Sequence, residues 1–320
     1  MQIKLCYDNK SLFERRGIFL FNKMLKLVLC IARFYFMCIF VKNITMKKFL
    51  LVMLLLSLSF NAQTHRFIYE YHFKMDSASP EKRKVSMVLD VNPDRVKFYN
   101  YDFVVTDSIN KTRGENNVIW DDTPALTRKK NSTVNSNYIM VQNMFVVETN
   151  DKMNWKLDNE TRTIGGYKVQ KATTKYGGRN WTAWFTKDIN LSEGPYKFQG
   201  LPGMIFEIYD DKDNFKFSLV KSYKIPETYE TFGILENFGG QKPVKIPESR
   251  LKKLMLDYYN DPLHTFKEHY KNNTNPDAHF MVMGIEVKRP EQLKELSEMM
   301  QENIKKNNNP IEIDKAIKYN

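Results

Sequence analysis

The sequence predicts an α+β fold, in which a curved, half-barrel-like antiparallel β-sheet is followed by C-terminal helices that pack against it. Apolar and aromatic residues alternate with polar ones along consecutive segments between residues 67 and 219, as in a sheet with one covered face. From residue 247 onward the apolar residues recur at helical spacing instead. Strands followed by helices favour α+β over α/β. We expect six or more strands, with the helices on the concave face.

The first part of this predicted sheet contains three short strands. Residues 67–73 alternate and are rich in aromatic side chains, and residues 85–91 and 95–101 flank an Asn-Pro-Asp turn. The next segments are less regular. The polar residues 111–117 and 121–137 are predicted to be loops, and the β-branched and aromatic run 138–148 is predicted to be one long strand.

A hairpin is predicted around Gly177-Gly178, because two adjacent glycines supply the positive φ angles of a two-residue hairpin turn. Counting outward from the turn gives the strand register. The predicted pairs are Tyr176 with Arg179, Thr174 with Trp181, Lys171 with Trp184 and Gln170 with Phe185. Alternation then places Trp181 on one face of the hairpin and Trp184 on the other.

The most constrained backbone lies at residues 194–205, where three glycines and two prolines occur within twelve residues. Pro202 fixes φ and Gly203 tolerates positive φ, so residues 201–204 predict a type II turn. We expect this corner to reverse the chain into a strand at 204–209, which a turn at 210–214 connects to a strand at 215–219. The corner's structural residues are Gly194, Pro195, Gly200, Leu201, Pro202 and Gly203.

Three helices are predicted near the C-terminus. Leu251, Leu254, Met255, Tyr258 and Tyr259 form the apolar face of the first, which begins near Pro247. A second, short helix begins at Asp261-Pro262 and continues to about residue 270. Residues 279–287 predict a strand, and the run 290–306 predicts the last helix.

The N-terminal residues differ from the rest of the chain. Residues 46–62 have the charged start, short apolar run and small terminal residue of a signal peptide, with cleavage expected after Ala62. We interpret residues 1–45 as an over-extended start, and residues 63–320 as one β-rich domain that is exported to the periplasm or secreted. The alternative is a membrane anchor at 25–41, which Lys26 and Arg33 disfavour. We therefore expect no stable membrane anchor after cleavage.

Charge and cysteine content narrow the possible functions. Ten of the 49 Lys and Arg residues, but only two of the 37 acidic residues, lie in residues 1–62. Most of the net charge of +12 therefore belongs to that segment, which argues against a nucleic-acid partner. All three cysteines, Cys6, Cys30 and Cys38, are there too. Residues 63–320 hence have no disulfide, cysteine nucleophile or cysteine metal site.

No catalytic, cofactor-binding or metal-binding motif occurs, so we predict no catalytic residue, cofactor or metal. HExxH, GxSxG, GxGxxG and P-loop patterns are absent. His264 and Glu268, four apart on a predicted helix, are better explained as solvent-exposed residues than as zinc ligands. The acidic run at 210–214 is better explained as a solvated turn than as a calcium loop.

Aromatic residues near the corner are the remaining indication of a binding site. The candidate ligand-binding residues are Lys171, Trp181, Trp184, Tyr196, Phe198 and Leu201. The alternative is that these aromatic residues form the core of a curved sheet, the usual role of large aromatic side chains. Trp184 is the exception, since an exposed tryptophan beside a lysine would be an unusual surface feature.

Residues 200–205, Gly-Leu-Pro-Gly-Met-Ile, resemble the signature of the GLPGLI family, secreted proteins of Gram-negative bacteria. Further matching residues are Gly166-Tyr167-Lys168, Lys171-Ala172, Trp181, Ala183-Trp184-Phe185, Gly194-Pro195, Phe198 and the late Asn309-Pro310-Ile311-Glu312. The resemblance extends over most of the chain after residue 62. It implies export but no particular activity.

Two functional hypotheses follow from these observations. The first is a non-enzymatic binding module for a small apolar ligand, a peptide or an outer-membrane protein. The second is a hydrolase with a dispersed Asp/Glu/His site. A cleft that contains two carboxylates or a His–carboxylate pair would favour the hydrolase, and an apolar, uncharged cavity would favour the binding module.

Overall fold

The fold is α+β, as predicted, and is built on one large, curved antiparallel sheet that does not close into a barrel. A computed structural model describes residues 63–231, 235–238, 240–275 and 278–319. The signal peptide and the start-site prediction lie outside these residues. The sheet strands are β1 (Thr64–Phe73), β2 (Arg83–Val91), β3 (Arg95–Asn100), β4 (Ala125–Lys129), β5 (Val134–Val141), β6 (Asn143–Asn150), β7 (Lys156–Ile164), β8 (Tyr167–Tyr176), β9 (Arg179–Thr186), β10 (Met204–Asp210), β11 (Phe215–Ile225) and β12 (Val244–Lys245).

The strand order is β12-β6-β5-β4-β3-β2-β1-β11-β10-β9-β8-β7. Every pairing is antiparallel except that of the two-residue strand β12, which runs parallel to β6. The first and last halves of the sheet join where β1 pairs with β11. The chain thus forms two antiparallel meanders, β1 to β6 and β7 to β11, which are joined by the pairing of β1 with β11. Contacts between these two strands join residues about 150 positions apart.

Apolar side chains cover both faces of the central strands. Phe67, Tyr69 and Tyr71 of β1 lie in the main core, on the face covered by the corner, whereas Ile68 points into a second core. Helix α1 (Tyr101–Arg113) closes that second core with Phe103. Covered faces on both sides explain why β3 and the second half of β2, from Met87 to Val91, are almost wholly buried.

Helix α1 was not predicted from the sequence, which favoured a strand to residue 101 and a loop at 111–117. Asn100 caps the helix, since its side-chain oxygen accepts a hydrogen bond from the backbone N–H of Asp102. Gly114 ends it in the left-handed conformation with φ of 67°. Asn100 and Gly114 are typical helix-cap residues and are visible in the sequence. The residues between them are mostly polar and do not form a clear apolar face, so no helix was predicted.

Two further predictions of this region are wrong. Residues 121–137 are not a loop, because they contain β4 and the start of β5. Residues 138–148 are not one strand, because the chain reverses at Gln142, which has φ of 59°. Polar residues such as Thr127 and Arg128 are buried at β4, so composition alone suggested a solvated segment.

The predicted hairpin is confirmed in its turn and in its register. Gly177 and Gly178 have φ of 60° and 75°, and all four predicted residue pairs occur between β8 and β9. The adjacent edge strand β7 was missed, because its side chains are nearly all exposed and polar. Polar, charged edge strands are a common protection against edge-to-edge association.

The C-terminal helices are α2 (Glu248–Asn260), α3 (His264–Asn272) and α4 (Gln292–Lys306), close to their predicted positions. Helix α2 packs against α4 and on β5 and β6, which lie near one end of the strand order. The predicted strand at 279–287 is a small hairpin of β13 (Met281–Val282) and β14 (Ile285–Glu286). Among the described residues, no helix has the length and apolarity needed to span a membrane.

Candidate functional site

The corner covers the apolar face of the sheet, but its turn is not of type II. The Gly203 N–H donates to the carbonyl of Leu201 at 2.8 Å, and Gly203 has φ of 152°. A type II turn would instead place this glycine near 80° and join Leu201 to Met204. A glycine is required here by close approach, because a Cβ atom would lie 2.0 Å from the carbonyl oxygen of Thr186.

Four of the six predicted ligand-binding residues lie in the core beneath this corner. Trp181, Tyr196, Phe198 and Leu201 are all at least nine-tenths buried. Phe198 is the centre of the group, with ring centroids of Trp181 and Tyr196 at 4.7 and 6.1 Å. A ligand would reach these side chains only after the corner moved, whereas their packing needs no ligand.

The other two predicted residues, Trp184 and Lys171, lie on the opposite face. The Arg162 guanidinium stacks 4.1 Å from the indole centroid and the Lys171 Nζ lies at 5.9 Å. Trp184 also packs against the main core and is only 3% exposed. Its Nε1 has no hydrogen-bond partner among the residues that the structure describes. Lys171 pairs with Glu160 at 2.5 Å. Trp184, which was expected to be exposed, is therefore buried, and the guanidinium of Arg162 lies over its ring.

A buried charge cluster lies behind the corner and was not foreseen. Lys197 Nζ is 2.5 Å from Glu312 Oε1 and 3.4 Å from Asp151 Oδ2. The Tyr196 hydroxyl donates to Glu312 and the Tyr176 hydroxyl to Asp151. Burial raises the pKa of Glu312, but the charge and hydrogen bonds of Lys197, with those of Lys315 and Tyr196, outweigh it and lower the pKa to about 2.

Two more buried ion pairs hold the same region together. Arg128 donates to Glu193 and to the backbone carbonyl of Tyr196, which fixes the corner to β4. Arg179 pairs with Asp210 at 3.3 Å. The predicted solvated turn at 210–214 thus begins with a buried carboxylate. Both arginines have several acceptors, although the buried Arg128 Nε has no hydrogen-bond partner among the described residues. Such multiply bonded pairs are typical of structural rather than catalytic ion pairs.

An open cleft lies on the other side of the sheet, beside helix α1, and has a volume of about 840 Å³. We call it the α1 cleft. Residues 114–119 line it as one continuous segment, and Asn237 and Gly240 line it from a later part of the chain. Its lining combines Asn110, Asn116, Asn117 and Asn237 with the apolar residues Phe103, Val118 and Ile119, and with Thr106, Asp107, Lys111 and Glu115.

The charged groups of the α1 cleft are already paired. Asp107 Oδ2 accepts hydrogen bonds from Lys111 Nζ and from the Tyr229 hydroxyl, each at 2.7 Å. Burial and the hydrogen bond to Asp107 raise the pKa of Tyr229. Glu115 accepts from the carboxamide of Asn117 at 2.7 Å. Sequence reasoning assigned this wall to a loop and so did not identify it as a site.

Histidines and carboxylates do not form a metal cluster in the described ranges. No group of three or more His, Cys, Asp or Glu side chains is placed to hold an ion there. His72 lies 2.7 Å from Glu70, and His264 lies 3.3 Å from Asp261. Neither pair lines the α1 cleft.

Comparisons with known proteins find similarity to solved structures and to one family of unknown function. Two structures of PNGF-II, in C2 and P21 space groups, match with TM-scores of 0.46 and 0.45 at 16% and 17% identity. The matches cover 61% and 60% of this chain, which spans about a third of the length of those chains (33%). No curated protein matches significantly. Residues 177–207, from the β8–β9 turn through the corner into β10, are similar to a family described as "Protein of unknown function (Porph_ging)".

Proposed function

We propose that the protein is an exported, non-enzymatic binding module that holds an uncharged, peptide-like ligand in the α1 cleft. The observation that carries this proposal is the lining of the cleft, which combines four side-chain carboxamides with the exposed aliphatic side chains of Val118 and Ile119. Its volume of about 840 Å³ falls in the range of small-molecule and peptide sites.

The lining matches the chemistry of a peptide segment. A carboxamide carries N–H donors and a carbonyl acceptor, the groups that pair with the C=O and N–H of a peptide backbone. Asn110 and Asn117 use part of this capacity within the cleft, because Asn110 bonds the backbone of Asn117 and Asn117 donates to Glu115. Val118 and Ile119 remain 47% and 37% exposed and would bury apolar side chains of the ligand. Asp107 forms an ion pair with Lys111 at 2.7 Å and Glu115 lies 3.9 Å from Arg113, so each carboxylate has a cation beside it, which favours an uncharged ligand.

A hydrolase is the second candidate, because two carboxylates, Asp107 and Glu115, line the same cleft. General acid–base chemistry would require one of them to reach a substrate proton. Asp107 instead accepts hydrogen bonds from Lys111 and from the Tyr229 hydroxyl, which indicates a structural role in the wall of the cleft. This pairing supports the binding module over the hydrolase.

Native mass spectrometry of the protein purified from its own cell envelope tests the proposal. We expect a bound species of added mass that fragments as a peptide. Ile119→Asp should abolish its retention, because a carboxylate would occupy the apolar wall. Leu157→Asp is the matched control, since Leu157 is a comparably exposed aliphatic residue on the distant edge strand β7.

Three results would oppose the proposal. Equal retention by the wild type and Ile119→Asp would exclude the α1 cleft as the site. Release of cleaved peptide from the wild type, but not from Asp107→Asn, would favour the hydrolase. Export has its own test: N-terminal sequencing of the mature protein should begin at or near Gln63, and a mature chain that retains Met1 would refute it.

A further inference from the structure

The small hairpin of β13 and β14 carries chemistry that neither the core nor the α1 cleft uses. The Val287 N–H donates to the carbonyl of Phe280 at 2.8 Å and so extends the hairpin beyond its two named pairs. Phe280, Val282 and Val287 pack into the core of the C-terminal helices. Alternation therefore directs His279 and Met281 to the outer face, where Met281 pairs across the hairpin with Glu286.

Two methionines are exposed at this outer face and tip. Met281 and Met283 are each 57% exposed. Met283 and Gly284 form the turn with φ of 51° and 79°, a conformation that favours asparagine or aspartate followed by glycine. A methionine has no backbone advantage at this position and contributes little to the core. Neither the turn conformation nor core packing explains a methionine here, so we ask what its thioether group could bind.

His279 lies two residues before Met281 and is oriented by Glu286, the residue that pairs with Met281 across the hairpin. Its Nδ1 is 2.9 Å from Glu286 Oε1, and its side chain is 80% exposed. Lys288 Nζ lies 3.3 Å from the other oxygen of Glu286. A histidine that donates from Nδ1 to a carboxylate presents Nε2 as a free lone pair, the arrangement found around metal-ligating histidines.

We propose that His279 Nε2 and the thioether sulfurs of Met281 and Met283 form a binding site for Cu(I). Thioether ligands are soft and uncharged, so they select monovalent copper rather than Mg²⁺, Ca²⁺ or Mn²⁺, which take oxygen ligands. His279 and Met281, two residues apart on the outer face, have Cα atoms roughly 7 Å apart. Met283 lies at the adjacent turn rather than on the strand face, and its long, flexible side chain is what would bring the second sulfur to the site. Glu286 is a positioning residue that fixes the tautomer and orientation of His279.

Competition for Cu(I) under anaerobic conditions tests the site in the purified full chain, with bicinchoninate as the chromophoric competitor. We expect one Cu(I) per chain. The double variant Met281→Leu/Met283→Leu should bind at least tenfold more weakly, because leucine keeps the volume and apolarity but removes both sulfurs. Met299→Leu is the matched control, since Met299 is also exposed on α4 but lies outside the hairpin. Its affinity should equal that of the wild type.

The positioning role has a separate readout. Glu286→Gln should weaken Cu(I) binding about 10-fold to 100-fold, the usual effect of losing such a partner. X-ray absorption at the copper edge should detect both sulfur and nitrogen neighbours, and His279→Ala should remove the nitrogen. Unchanged affinity in the double leucine variant, or equal loss in Met299→Leu, would overturn the proposal. Far-UV circular dichroism melts establish that each variant is folded.

Discussion

Gly203 is the residue at which the corner comes closest to the sheet. A Cβ atom there would lie 2.0 Å from the Thr186 oxygen and 2.6 Å from its carbonyl carbon, and backbone atoms cannot yield as a flexible side chain can. We expect Gly203→Ala to lower the free energy of unfolding by about 2 kcal/mol or more, measured by urea denaturation. Gly203→Val should cost still more.

Gly114→Ala is the control for this prediction. Gly114 also has positive φ, at 67°, but nothing lies within 4 Å of its Cβ position. Only the conformational cost remains, so the loss should be about 1 kcal/mol. Equal losses at both positions would mean that close approach at the corner contributes nothing.

Glu312 should make stability depend on acid pH. Its folded-state pKa of about 2 lies below the ordinary value of 4.5, so its contribution is fully present above pH 4.5 and is lost as the pH falls toward 2. Glu312→Gln should therefore be less stable than the wild type at pH 7. The difference between them should shrink by on the order of 3 kcal/mol between pH 5 and pH 2.

Chemical denaturation at several pH values measures this convergence. Asp213→Asn is the control, because Asp213 pairs with Lys82 at a site where the carboxylate is largely exposed. Removing it should change stability by less than about 1 kcal/mol at any pH. The buried ion pair would be contradicted if the free energies of unfolding of the wild type and Glu312→Gln differed by the same amount at pH 2 and at pH 7.

At the scale of elements, the C-terminal segment 309–315 is held by the tip of the β8–β9 hairpin. Arg179 donates to the carbonyls of Ile311 and Pro310, at 3.0 and 2.9 Å, and to the Asn309 side chain at 2.6 Å. Gly177 permits this docking, since a Cβ atom there would lie 2.8 Å from the Cα of Glu312. The hairpin turn therefore both reverses the strand and provides the surface on which segment 309–315 packs.

Arg179→Lys should destabilise this docking. Lysine cannot reproduce the planar set of donors that reaches three acceptors of this segment and Asp210 at once, so we expect a loss of about 2–4 kcal/mol in the free energy of unfolding. Arg113→Lys, at the exposed end of α1, should change it by less than about 0.5 kcal/mol. A melting temperature of Arg179→Lys equal to that of the wild type would show that the segment is held by other contacts.

At the scale of the whole molecule, the C-terminal helices form a core of their own. Leu263, Val282, Val287, Leu293 and Leu296 pack together, apart from the two cores of the sheet. Helix α2 makes the main contact with the sheet, at β5 and β6. A small core attached at one end is expected to open at a lower free energy than the sheet.

Hydrogen exchange measured by mass spectrometry tests this separation. Amides of α3 and α4 should exchange faster than those of β1 and β11 at the centre of the sheet, and their protection should fall first in low denaturant. Helix α1 is the internal control, because Phe103 joins it to the buried second core. A single shared protection level for α4 and β1 would indicate one cooperative unit.

The sequence alone determined those features that depend on local chemistry. Paired glycines specified the β8–β9 turn and hence its register, since only residues free of a Cβ adopt two successive positive φ angles at little cost. Alternation located β1 to β3, β10 and β11, and helical spacing located α2 and α4. Each of these signals is complete within a window of about twenty residues.

Only the tertiary structure decided what covers these elements. Asp151, Lys197 and Glu312 lie far apart in the chain, so no spacing rule could show that they share one buried cluster. Arg128 lies in a polar segment that was predicted to be a loop. In the structure this segment contains β4, inside the sheet, where Arg128 forms a buried ion pair with Glu193. Trp184 was expected to be exposed, and Arg162 from an unpredicted edge strand covers it. Burial depends on contacts across the fold, and these are fixed only when the two meanders join at β1 and β11.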